Sequence, residues 1–138
     1  MPADCIFCRI VAGEIPAQKV HDDPRVLAIL DINPVSWGHV LVLPKEHHET
    51  WLDLPPDLAA HLATATQKVG AAVKTAAGAE GFNLLMNNHR CSGQAIFHAH
   101  FHIIPRKTND GKSFEWKTKP YDAGQLDKAA DAVRAALK

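Results

Sequence analysis

The sequence predicts an α+β domain built on an antiparallel sheet, and three observations predict it. Segments of strand character are grouped, at 19–21, 25–30, 39–43, 82–86 and 97–104, with no regular one-to-one alternation of strand and helix. Only two long segments, 55–77 and 125–138, carry apolar residues at three- and four-residue spacing. A chain of 138 residues with 46% hydrophobic residues is one domain's worth, able to build a core without disulfide staples.

Residues 5–13 read as a short helix or helical turn, ended by Gly13 and Pro16. The runs 19–21 and 25–30 form a hairpin around Asp22-Asp23-Pro24, whose side chains and fixed φ favour a turn. After the break at Asn33-Pro34, the aliphatic run 39–43, closed by Pro44, reads as a buried central strand. The main helix, 55–77, places Leu58, Leu62, Ala65, Val69 and Val73 along one side; Pro55 and Pro56 suit its first turn and Gly78 its end. Strands at 82–86 and 97–104 follow, the second stopped by Pro105. Residues 106–120 are polar and lysine-rich and read as loop, and 125–138, with Leu126, Ala129, Ala130, Val133 and Leu137 on one side, as a second helix lying on the surface. There is no internal repeat. The partition is a single domain over 1–138, with 1–15 as an N-terminal arm and 106–138 as a C-terminal loop and helix.

Fifteen Lys and Arg balance fifteen Asp and Glu, which argues against a nucleic-acid partner, since such binders need a basic excess to neutralise phosphates. No apolar run approaches the ~20 residues of a membrane span, and the first residues lack a signal peptide's basic and apolar regions, so no membrane partner and a cytoplasmic location are expected. Three cysteines, Cys5, Cys8 and Cys91, are an odd number that fits metal or redox chemistry better than a disulfide framework.

Three of the nine histidines, His98, His100 and His102, alternate with Ala99 and Phe101. On a strand they project from one face, successive ones roughly 6.5 to 7 Å apart. Three imidazolium ions so close repel one another, so at least one is neutral near pH 7. Two chemistries compete for this face: a metal site, or a neutral imidazole that displaces a leaving group from phosphorus. The preceding loop, 87–95, supplies Gly93 for close backbone approach and Gln94 as an amide donor to a phosphate oxygen. Cys5-x-x-Cys8 is half of a tetrahedral zinc site and is equally compatible with a redox dithiol or two small buried residues. His21, His39 and His61 read as structural, Cys91 as a free thiol near the site, and Trp51 and Trp116 as packing or interface residues.

Gly93-Gln94-x-x-x-His98-x-His100-x-His102-x-x-Pro105 resembles the signature of the histidine triad (HIT) superfamily of nucleotide hydrolases and transferases. Cys5-Ile6-Phe7-Cys8, Leu30-Asp31-Ile32-Asn33-Pro34, Gly38 to Lys45 with His47, and Asn87 match it in order, so the resemblance covers roughly residues 5–106. It implies a five-stranded antiparallel sheet with two main helices and a homodimer. It further implies that His100 attacks the α-phosphorus of a purine nucleotide, most naturally an adenine one, and forms a nucleotidyl-histidine that water hydrolyses. His102 and Gln94 would contact the phosphate, Gly93, Ala95 and Asn87 would line the pocket, Asp31 would hold the ribose hydroxyls, and Phe7, Ile10 and Ile32 would form the slot for the base. The expected substrate is a phosphoramidate or a dinucleoside polyphosphate, with AMP released. In the bacterial members it resembles, a structural zinc would be held by Cys5, Cys8, His47 and His98, with His48 a competing ligand.

Two positions depart from the family. Ala95 stands where a Ser or Thr is common and thought to assist the leaving group, and His89 stands where Gly often follows the Asn pair. The first motivates an alternative, a nucleotide- or zinc-binding module with vestigial catalysis. A third reading puts a catalytic metal on the three triad histidines.

Overall fold

The computed structural model describes residues 2–137; Met1 and Lys138, the last residue of the expected final helix, lie outside them. The chain opens with α1, Ile6–Val11, capped by the Cys5 sulfur, which accepts the Cys8 N–H at 3.5 Å. One helical turn therefore brings both sulfurs to the same side. The hairpin of β1, Lys19–Asp22, and β2, Val26–Leu30, closes on Asp23. The carboxylate of Asp23 accepts the N–H groups of Arg25 and Val26 at 2.8 Å and meets His21 Nε2 at 2.8 Å and His61 Nε2 at 3.0 Å, so these two histidines are structural, as read.

Strands β3, Val40–Pro44, β4, Gly81–Leu85, and β5, Phe101–Arg106, complete a fully antiparallel five-stranded sheet in the order β1-β2-β3-β5-β4. β2 and β3 are buried on both faces. Val26, Ala28, Val40, Val42 and Ile103 face α2, Pro56–Ala76, against Leu58, Leu62, Ala65, Val69 and Val73. The alternate residues Leu27, Ile29, Leu41 and Leu43 pack on Phe7 and Ile10 of α1. Leu41 pairs with His102 in the β3–β5 register, and cross-strand partners share a face, so His102 lies on the α1 side.

Three expectations change. β5 begins at Phe101, not 97, so His98 and His100 precede it. β3 ends at Pro44, and the chain beyond it turns away; the Pro44 carbonyl is taken by His98 Nε2 and the Ala99 N–H by the His48 carbonyl, in place of a ladder. Pro105 does not stop β5, because it lies past the start of β3 and needs no ladder bond on that side; its carbonyl accepts Ser36 Oγ at 2.7 Å. The last helix, α3, Gln125–Ala136, forms, but with no residue buried it does not lay its apolar side on the domain. No described helix is long and apolar enough to cross a membrane.

Candidate active site

The proton on each triad histidine is settled by its partner. The Val35 N–H can only donate, so His39 Nδ1 accepts it at 3.0 Å and His39, if neutral, carries its proton on Nε2. That nitrogen is 2.9 Å from His102 Nδ1 and donates to it, which leaves the His102 proton on Nε2. The His98 carbonyl can only accept, so His100 Nδ1 donates to it at 2.7 Å and the His100 lone pair sits on Nε2. By the same logic His98 donates Nε2–H to the Pro44 carbonyl at 2.7 Å and presents the lone pair of Nδ1. Burial lowers the pKa of His39 and His100 and pushes both His98 and His102 down to about 4, so the neutral forms that these bonds require prevail at pH 7.

His100 and His102, ring centres 4.8 Å apart, line a cavity of about 400 Å³. The Phe7 ring packs edge to face with His100, ring centres 5.0 Å apart. Around the same cavity stand Phe7, Ile10, Asp31, Ile32, Asn87, Gly93, Gln94 and Ala95, so every residue assigned to nucleotide or catalysis from the sequence meets in one place. Asp31 accepts the Asn33 N–H at 2.8 Å and sits 3.7 Å from His39 Nε2. Ile32 is 88% exposed, an open edge of the apolar slot. A second cavity, of about 420 Å³, lies between α2 and Trp37 on the opposite side of the sheet; it touches Asp31 and His39 but neither His100 nor His102.

Gln94 requires a correction. It is buried at the cavity wall, but its Oε1 accepts the His89 N–H at 2.7 Å and its Nε2 donates to the carbonyls of Glu49 and Ile96 at 2.6 and 3.1 Å. The amide is engaged in holding the loop and offers no free donor to a phosphate. His89 itself has φ +69° and ψ 158°, a region that glycine alone adopts without strain. The loop keeps a glycine's backbone although it carries a histidine.

The metal-ligating donors also converge. Cys5 Sγ and His98 Nδ1 are 3.4 Å apart, Cys8 Sγ and His98 Nδ1 3.6 Å, Cys8 Sγ and His47 Nδ1 3.3 Å, and the two Nδ1 atoms 3.2 Å. A tetrahedral zinc with the usual Zn–S and Zn–N lengths has ligand–ligand edges of about 3.3 to 3.8 Å, so the four residues fit it. Burial, followed by the neighbouring Cys5, raises the Cys8 thiol to about 11, so the ionised sulfur of a zinc site would be created by the cation and not by the fold. His48 turns to Glu46 at 3.0 Å and is not one of the four.

A HIT domain model matches residues 12–109. The chain belongs to the HIT family. It is 46% identical over 107 residues to Adenylylsulfatase HINT3 of Arabidopsis thaliana, a match that spans 78% of this chain but only 54% of that protein. It is 36% identical over 135 residues to Adenosine 5'-monophosphoramidase hnt1 of Schizosaccharomyces pombe, spanning 97% and 98%. Among solved structures, a Streptococcus mutans protein superposes with a TM-score of 0.94 at 38% identity, over 100% of this chain and 88% of that one, and a Bacillus anthracis HIT family protein with 0.91 at 40%, over 100% of both. A zinc-bound histidine triad family protein of Mycobacterium smegmatis is 35% identical, with a TM-score of 0.76 over 98% of both chains.

For this HIT domain, the residue that sequence reasoning passed over is His39. By sequence it reads as a structural histidine at a strand start, yet its Nε2 donates to His102 and lies 3.7 Å from the Asp31 carboxylate. Its only local signal was its place in the Gly38-to-Lys45 match.

Proposed function

We propose that this HIT protein is a nucleotide hydrolase and nucleotidyl transferase acting on adenine nucleotide conjugates, phosphoramidates or dinucleoside polyphosphates, and releasing AMP. The observation that carries the reading is the His100 lone pair on Nε2, in a cavity whose second imidazole, His102, keeps its proton on Nε2. His100 Nε2 attacks the α-phosphorus, and the bond to the leaving group breaks with its electron pair on that group, a phosphate departing as the anion and an amine taking up a proton from solvent as it departs. His102 Nε2–H hydrogen-bonds the phosphate oxygen as charge develops there. Water then cleaves the phosphorus–nitrogen bond of the nucleotidyl-histidine, which restores His100. Asp31 binds the ribose hydroxyls and Phe7, Ile10 and Ile32 flank the base. The names of the Arabidopsis and Schizosaccharomyces relatives, both acting on adenylyl compounds, support the substrate class.

In this reading Cys5, Cys8, His47 and His98 hold a structural zinc that ties the N-terminal arm to the sheet and reserves His98 Nδ1, leaving His100 and His102 for chemistry. The enzyme works in the cytoplasm as a homodimer. Strand β4 supports the dimer: it is an outer strand without a charged residue, Gly-Phe-Asn-Leu-Leu, and its Phe82 and Leu84 are exposed, a combination that invites a second strand.

The test compares the protein with His100→Ala on adenosine 5′-phosphoramidate and on diadenosine tetraphosphate, with AMP measured by chromatography. AMP release that disappears in the variant while AMP binding persists is expected. A second reading, a binding module, is favoured by Ala95, which places a methyl group at the wall where a hydroxyl would serve the leaving group. AMP binding with no product from either substrate would select it.

A further inference from the structure

We propose that α1 couples the metal cluster to the nucleotide cavity: zinc on Cys5, Cys8, His47 and His98 raises the affinity for nucleotide, and bound nucleotide raises the affinity for zinc by the same factor. This rests on the zinc and nucleotide readings proposed above and goes beyond them by making the two sites interdependent.

The helix serves a different site with each of its two sides. Cys5 and Cys8, three residues apart, bring their sulfurs to His47 and His98. Phe7 and Ile10, also three apart, stand with Ile6 in the wall of the nucleotide cavity. At about 3.6 residues per turn these two pairs fall on opposite sides of the helix. The Phe7 ring meets both His98 and His100 edge-on, with ring centres 5.7 and 5.0 Å apart, so one side chain touches a metal ligand and the nucleophile of the proposed reaction.

Little else holds the helix in place. Among the described residues, the polar contacts of residues 2–15 with the rest of the domain all run through the Cys5 and Cys8 sulfurs; the other bonds stay inside that segment, such as those from the Glu14 and Ile15 N–H groups to the Arg9 carbonyl. Packing of Phe7 and Ile10 on Leu27, Ile29, Leu41 and Leu43 is the second attachment. A helix of six residues does not persist in water by itself, so its position depends on these two attachments.

His98 has an independent hold. Its Nε2 donates to the Pro44 carbonyl, and its own carbonyl accepts the His100 Nδ1–H. Loss of zinc therefore frees the wall formed by α1 and leaves the nucleophile oriented. In the other direction, a nucleotide seated against Phe7 and Ile10 holds α1 down and keeps the two sulfurs beside the imidazoles, which reduces the entropy lost when the four ligands gather on a metal. Linkage between binding equilibria makes the two effects equal in size.

The test measures AMP binding by calorimetry to zinc-loaded and chelated protein, zinc binding by competition with a metallochromic chelator with and without AMP, and hydrogen exchange, all below the Tm of the chelated protein. Expected are an AMP Kd at least about fivefold higher without zinc and a zinc Kd lowered by AMP by the same factor. The α1 amides should exchange faster on chelation and slow again when AMP is added, while those of α2 stay unchanged. AMP affinity indifferent to zinc, or α1 exchange indifferent to both ligands, would overturn the coupling and leave the two sites standing. Loss of α2 protection on chelation would overturn it too, since zinc would then act through the whole fold and not through α1. Protein that takes up no zinc would overturn the zinc reading with it, and loaded protein that binds no AMP the nucleotide reading.

Discussion

His39 Nε2 lies 2.9 Å from His102 Nδ1, across 63 residues of sequence. Because the Val35 N–H occupies the other nitrogen of His39, this contact can be made only with the proton on His39, and it thereby directs the His102 proton to Nε2. His39→Ala removes that control. It should lower kcat on adenosine 5′-phosphoramidate by about 100-fold, the scale of losing a positioned proton donor, with AMP affinity changed little. Unaltered kcat would take His39 out of the site.

Acid should weaken the fold through His102. Burial, then the neighbouring His100, pushes it down to about 4 from an ordinary value near 6.5. Between these values the unfolded chain binds a proton that the folded chain excludes. His102 therefore contributes no loss above pH 6.5 and costs up to about 3 kcal/mol as pH falls through that window. Urea unfolding at pH 7.5 and 4.5 measures the drop, and His102→Gln should flatten it by that amount; an equally steep curve in the variant would assign the loss elsewhere.

Zinc removal should loosen the arm before it touches the chemistry. A ligand at 1,000 times its Kd stabilises by about 4 kcal/mol, which for a chain of this size corresponds to a Tm shift of about 10 °C. Chelation, or Cys8→Ala, should lower Tm by that much, and metal analysis should find one zinc per chain lost in the variant. AMP release from chelated protein below the new Tm should persist, because neither His100 nor His102 is among the four converging ligands.

His89→Gly should stabilise the protein. At φ +69° and ψ 158° the histidine backbone is strained, and a strained residue of this kind costs about 1 to 3 kcal/mol. Its N–H bond to Gln94 is a backbone bond and survives the change. Thermal unfolding reads the gain, offset in part by the greater freedom of glycine in the unfolded chain. A lower Tm would show that the imidazole contributes more than the strain removes.

The boundaries of the triad strand illustrate why sequence periodicity runs out. His98, His100 and His102 alternate as a strand would, and the alternation does bring His100 and His102 to one cavity, but His98 and His100 precede β5 because the Pro44 carbonyl is taken by His98 Nε2 and the Ala99 N–H by the His48 carbonyl, which ends the ladder at Phe101. By residue type Gln94 suits a phosphate; only the positions of Glu49, Ile96 and His89 show its amide to be engaged.

By itself the sequence determined the α+β class, the five strands and the main helix, because apolar spacing and Pro and Gly punctuation act over a few residues. It also singled out, through a dense match of motifs, residues that line one cavity and four metal-ligating side chains whose donor atoms converge. Only the tertiary structure decided which nitrogen of each histidine carries the proton. A tautomer depends on the partner of the opposite nitrogen, and the partners of His98 and His102, the Pro44 carbonyl and His39, stand far along the chain, while the Val35 N–H that fixes His39 is brought to it by the turn of its own loop. The same holds for α3: its amphipathic pattern is local, whereas the lack of any surface beneath it is a property of the whole protomer.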